Sequence, residues 1–114
     1  MEIRITGKNT EVTEEIKEWV LRKASKLERY APRLVEAHAI LKREKHFYVA
    51  ELTLLARHLR AYGEGRHKEN LLTAIDMACD RVATQLKKFR EKVKSHSLNQ
   101  DRRRLSREAE GPTG

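Results

Sequence analysis

Hydrophobic residues recur along this chain in two rhythms, and the switch between them sets out the elements. Glu2 to Thr6 alternates, with Ile3 and Ile5 on one side and Glu2, Arg4 and Thr6 on the other; this predicts a short half-buried strand closed by Gly7. Thr13 followed by Glu14 and Glu15 has the form of a helix start, a hydroxyl cap with acids in the first turn. Ile16, Trp19, Val20, Leu27 and Tyr30 then keep a helical period up to Pro32. A period of two returns from Leu34 to Arg43, setting Val35, Ala37, Ala39 and Leu41 against Glu36, His38, Ile40 and Lys42. After a charged turn at Glu44-Lys45-His46, the run Phe47 to Ala56 places Tyr48, Ala50, Leu52 and Leu54 in one apolar row. A third run, Leu59 to Gly63, follows across Arg57-His58, a junction without the Gly or Asn of a tight hairpin. Gly63-Glu64-Gly65 reads as the start of a loop, and Asn70 as the cap of a long helix reaching about His96. In that helix Ile75, Cys79, Val82, Leu86, Phe89 and Val93 recur at alternating four- and three-residue steps and form one seam.

The order is β-α-β-β-β-α. Two helices with apolar faces to cover, and strands apolar on one face, predict an α+β two-layer sandwich: a four-stranded mixed sheet with both helices packed on one face, as in double-stranded-RNA-binding domains. The first β-α-β unit predicts parallel strands with a right-handed crossover, and the remaining strands an antiparallel meander. Residues 1–96 form the expected domain. Ser97 to Gly114 is polar, carries Arg102-Arg103-Arg104 and lacks a sustained apolar period, so a flexible basic and polar tail is expected there.

Charge changes the picture from fold to partner. The 114 residues carry a formal net charge of +8, with a sequence pI near 9.9, which favours an anionic partner. No apolar run approaches the roughly 18 residues of a membrane span. The start MEIRITGKN has no apolar core of a signal peptide, so a cytoplasmic location is expected. Cys79, the single cysteine, sits on the seam as a small core residue. His38, His46, His58, His67 and His96 are scattered without metal-site spacing, and Gly63-Glu64-Gly65-Arg66-His67-Lys68 lacks the pattern of a phosphate-binding loop. With no catalytic set in view, the chain reads as a non-enzyme without cofactor, metal or small-molecule substrate.

The cations themselves are patterned. At 100° per residue Arg81, Lys88 and Lys92 fall along one edge of the seam, and Lys87, Arg90 and Lys94 along the other. From Arg81 to Lys94 six lysines or arginines face a single acid, Glu91. Complementing the helix dipole accounts for cations in the last turn but not for a run of several turns. Arg22, Lys26 and Arg29 form a second basic line on the first helix. Such surfaces bind phosphate by Coulomb attraction and counterion release. Aromatics placed to stack bases are sparse, Tyr62 being the candidate, so backbone and shape recognition of RNA is expected rather than base reading.

Several stretches resemble one family. Ile3-Arg4-Ile5-Thr6-Gly7-Lys8-Asn9 followed by Val12-Thr13-Glu14 is similar to the N-terminal pattern I-x-I-T-G-(K/R)-N … V-T-(E/D) of the ribosome hibernation-promoting factors, a family that includes the ribosome-associated inhibitor A proteins and was formerly called sigma-54 modulation proteins. Leu59-Arg60-Ala61, then Asn70-Leu71-Leu72-Thr73-Ala74-Ile75-Asp76, resembles its L-R-A … D-M-Y-A-A-I-D. Asp80 to Lys88 resembles its D-(K/R)-(L/V)-x-x-Q-(L/I)-(K/R)-(K/R). The sequence departs from the pattern at Asn70, where Asp is usual, and at Leu71-Leu72, which replaces Met-Tyr. The resemblance implies a factor that occupies the messenger and transfer RNA channel of the small ribosomal subunit, blocks translation sterically and preserves idle ribosomes under stress. It implies contacts to 16S ribosomal RNA through Arg22, Lys26, Arg29, Arg81, Lys87, Lys88, Arg90 and Lys92, and either a short form or the N-terminal domain of a long one; a monomer is expected when free. The rival readings are a generic double-stranded-RNA-binding module and a protein that modulates a sigma factor.

Overall fold

The computed structural model describes residues 2–31 and 33–89. Strands β1 (Glu2–Lys8), β2 (Leu34–Glu44), β3 (Phe47–Ala56) and β4 (Leu59–His67) form one sheet in the order β1-β2-β3-β4. β1 and β2 are parallel; β2–β3 and β3–β4 are antiparallel. Helix α1 (Glu14–Lys26), extended by a 3-10 turn at Leu27–Arg29, crosses between the parallel pair, and helix α2 occupies residues 71–89. The expected α+β architecture is therefore present. The expected tail Ser97–Gly114 lies outside the described residues.

Both helices cover the same face of the sheet. Val20, Ala24 and Leu27 of α1 and Ala74, Ile75, Ala78, Val82 and Leu86 of α2 share one buried cluster with Ala37, Ala39 and Leu41 of β2 and Ala50, Leu52 and Leu54 of β3. The helix starts are capped as the sequence predicts. The Thr13 hydroxyl accepts from Ile16 N–H at 3.3 Å, and the Asn70 side-chain oxygen accepts from Leu72 N–H at 2.9 Å. Ahead of α2, His67 Nδ1 accepts from the Glu69 and Asn70 N–H groups.

Three expectations are corrected, those for Gly63-Glu64-Gly65, Val35 and Phe89. Gly63-Glu64-Gly65 does not open a loop; it continues β4 to His67. Its glycines are there for room: a Cβ on Gly65 would lie 2.0 Å from the Ala74 carbonyl oxygen, and one on Gly63 2.5 Å from that of Ala78. Helix α2 lies directly on the backbone of β4, and the lack of side chains that looks like a break in the sequence is what admits the helix. The Arg57-His58 junction is a two-residue hairpin, since Ala56 pairs with Leu59. His58 takes φ 72 there, a left-handed conformation that costs a residue with a Cβ about 1 kcal/mol or more.

Val35, expected in the core row, is 62% exposed. The register steps from Leu34↔Ala56 to Glu36↔Leu55, two residues of β2 against one of β3, so Val35 is the extra residue of a bulge and leaves the alternation. Phe89, expected on the seam, is 41% exposed. Gly65 abuts Ala74 and Gly63 abuts Ala78, so four residues of helix, rising about 6 Å, keep pace with two residues of strand, about 6.6 Å. That pace brings Leu86 to Leu59, where β4 begins, and carries Phe89 beyond the sheet. Val93, also assigned to the seam, lies outside the described residues.

The open face of the sheet is polar and internally paired. Arg4 meets Glu36 at 3.3 Å, Lys42 meets Glu51 at 3.1 Å, and Thr6 shares a hydrogen bond with His38. Val49 is fully buried on this face, flanked on its rung by Lys42 and Arg66, whose stems can cover apolar surface. At the β4 edge, Gln85 accepts from Tyr62 N–H at 3.0 Å and donates back to the Tyr62 carbonyl. Its amide satisfies the outward backbone groups of Tyr62.

Candidate nucleic-acid interface

The cations of the two helices are positioned by how the helices lie against each other. α1 runs opposite to the parallel strands it connects. α2 follows β4 in the reverse sense, and β4 has the direction of β2. The helices are therefore parallel. Trp19 Nε1 donates to Asp76 Oδ1 at 2.8 Å, and Lys87 Nζ sits 5.1 Å from the centre of the Tyr30 ring. Both pairs are separated by 57 residues (76 − 19 and 87 − 30), so the register between the helices holds along their length.

A polar clasp fixes that register midway. Besides the Trp19 indole, Asp76 takes Lys23 Nζ at 3.4 Å. The ammonium of Lys23 lies 5.3 Å from the Trp19 ring centre, and the guanidinium carbon of Arg22 5.8 Å from it. Beneath it Cys79 is buried, and desolvation pushes its thiol up to about 12, with Asp76 adding to the shift. Such a thiol is neither a nucleophile nor a ligand at neutral pH.

Parallel packing sorts charge by end. The first halves of the helices carry Glu14, Glu15 and Glu18 against Lys17 on α1, and Asp76 and Asp80 on α2. The second half of α1 and its extension, Arg22 to Arg33, carries five cations against Glu28, and α2 ends its described part with Lys87 and Lys88. The negative dipole end of α1 also lies here, and the adjacent cations offset it.

Of the residues expected to touch RNA, Arg22, Lys26, Arg29 and Lys87 are exposed; Arg22 lies against Trp19 and Lys87 against Tyr30, where α1 and α2 meet. Lys88 is exposed on the opposite flank of α2, above β4. Arg81 shares that flank but stands nearly two turns back, and its guanidinium donates to the Glu64 carbonyl. One of its donors is thus tied to the edge of the sheet. Arg90 and Lys92 lie outside the described residues. Sequence reasoning missed Lys23, which belongs to the ridge between the helices. Its signal was its spacing, one residue from Arg22 and four from Trp19, which carries no weight until Asp76 is known to face it.

Comparison with known proteins places these features in a family. Residues 3–94 match the family described as Sigma 54 modulation protein / S30EA ribosomal protein. The ribosome hibernation promoting factor of Escherichia coli (strain K12) is 37% identical over 98 residues, spanning 84% of this chain and 100% of that protein. The protein of the same name from Pseudomonas putida is 32% identical over 95 residues, spanning 83% and 92%. Among solved structures, the Thermus thermophilus Protein Y N-terminal domain superposes with a TM-score of 0.70 at 31% identity, covering 78% of this chain and 99% of that one. A ribosomal subunit interface protein from Coxiella burnetii gives 0.74 at 15% identity, covering 80% and 99%, a likeness of fold.

Proposed function

The chain belongs to the Sigma 54 modulation protein / S30EA ribosomal protein family, and on that premise we propose that it is a ribosome-associated hibernation factor that works by occupancy. It binds the small subunit through 16S ribosomal RNA in the channel used by messenger and transfer RNA, as a monomer in the cytoplasm, and blocks translation while it is there. No bond is made or broken. The ridge formed by Arg22, Lys26, Arg29 and Lys87 meets the phosphates, and Lys88 adds a cation on the other flank of α2.

The observation that carries this reading is the parallel, registered packing of α1 and α2. It gathers cations from two separate stretches of sequence at one end of the molecule, where a single RNA surface can meet them all. Affinity for a polyanion of this kind comes largely from released counterions and falls steeply with salt. The open sheet face, with its carboxylates matched to its cations, has no comparable excess of positive charge.

Co-sedimentation with vacant ribosomes, at low and raised salt and with a plain RNA duplex as competitor, tests the proposal. Co-migration that resists the duplex is expected; loss to the duplex would leave a generic double-stranded-RNA-binding module. Lys87→Glu combined with Lys88→Glu is expected to abolish co-migration without lowering the thermal midpoint, because both side chains are exposed. Unchanged ribosome binding by that folded variant would refute the assignment of the helix ridge.

A further inference from the structure

We infer that the β3–β4 hairpin is a second RNA-contacting element, in which Arg57 at the turn and Arg60 just after it, on the open face of the sheet, grip backbone phosphates at the same end of the molecule as the helix cations. The inference rests on the ribosome-binding reading and deepens it.

Three observations place the hairpin there. First, the pace of α2 along β4 carries the end of the helix to Leu59, so Lys87 and Lys88 stand at the turn end of the hairpin. Second, α1 delivers the chain to the same end: Leu34, which opens β2, pairs with Ala56, the last residue before the turn. Arg33 therefore joins Arg57 just beyond that rung, and the cations of both helices, the α1–β2 link and the hairpin share one end of the sheet. Third, Arg33, Arg57 and Arg60 are all exposed, and none of them forms an ion pair among the described residues. The carboxylate nearest along the Arg60 rung, Glu36, is held by Arg4.

The turn itself adds weight. A two-residue hairpin is most easily made with Gly or Asn, yet here it is made with Arg57 and His58, and His58 holds a left-handed backbone. The strain falls on His58, and Arg57 beside it is presented at the tip of the turn. Guanidinium groups without carboxylate partners suit phosphate, which they can meet with two parallel hydrogen bonds. They favour RNA over a protein surface as the occupant.

The test is a titration of ribosome binding across a series of salt concentrations for the wild type, Arg57→Ala, Arg60→Ala and Lys45→Ala, with the helix double variant alongside. Lys45 lies in the β2–β3 turn at the other end of the sheet. Each arginine variant is expected to melt like the wild type and to bind about tenfold more weakly. Each is also expected to lower the slope of log affinity against log salt by about one. Lys45→Ala is expected to change neither. Arginine variants that bind like the wild type would overturn the inference, and so would an equal loss from Lys45→Ala, which would mean a general effect of net charge. Weaker binding with an unchanged salt slope would overturn it in favour of a contact with a ribosomal protein. If the helix variant loses binding and the hairpin variants do not, the ribosome reading stands and this inference alone fails; if the wild type does not bind, the ribosome reading has failed first.

Discussion

At the scale of single residues, burial sets the chemistry. Cys79 is 7% exposed, and the fold holds its thiol protonated up to about pH 12. An unfolded thiol ionises near 8.5. Between those values the unfolded chain releases a proton that the folded chain keeps, so stability is whole below about pH 8.5 and falls as pH rises, by up to about 1.4 kcal/mol per unit. Lys42, held charged by Glu51, and Tyr62, held neutral by burial, are both raised and act in the same direction at higher pH. Urea unfolding at a series of alkaline pH values should show this decline, and Cys79→Ala should make it shallower. An unchanged slope in the variant would mean that the thiol does not carry it. The core placement of Cys79 was legible in its seam spacing. The roles of Asp76 and Gln85 were not, because each is defined by a partner distant in sequence: Trp19 and Lys23 for one, the Tyr62 backbone for the other.

At the scale of elements, the sequence reading succeeded wherever one rule acted alone. The caps at Thr13 and Asn70 and the alternation of Ala37, Ala39 and Leu41 are local, and all appear where expected. It failed where tertiary contact reverses a local meaning. Glycine weakens a strand in isolation, so Gly63 and Gly65 read as its end; the approach of α2 makes them a requirement for it. Gly65→Ala should therefore cost about 3 kcal/mol, since the added methyl meets helix backbone rather than a side chain that can swing away. Denaturant unfolding measures this, and a loss well below 1 kcal/mol would mean that helix and strand part easily. Val35 is the same lesson in reverse: its alternation was right, and one inserted residue at the bulge displaced it. Phe89 kept the helical period but outran the sheet that the period was to cover.

At the scale of the whole molecule, which end of each helix lies beside which was beyond sequence periodicity. The cationic lines on α1 and α2 could be read separately, and their meeting at one end, with the hairpin arginines added, follows from the parallel packing. Charge separated in this way should act before contact, turning the molecule as it nears a phosphate surface. The association rate constant with ribosomes is accordingly expected to fall steeply with added salt, and the dissociation rate constant to change less. Stopped-flow or surface-based kinetics would separate the two; a salt effect confined to dissociation would count against steering. The Gln85 amide laid along β4 has a different consequence. A sheet with two open edges can be extended from both sides without limit, as in a fibril. Here Gln85 occupies the outward N–H and carbonyl of Tyr62 and Arg81 the carbonyl of Glu64, so the middle of the β4 edge is already bonded while β1 is open. Addition at the β4 edge is therefore disfavoured at the rung where a neighbouring strand would first look for its pair.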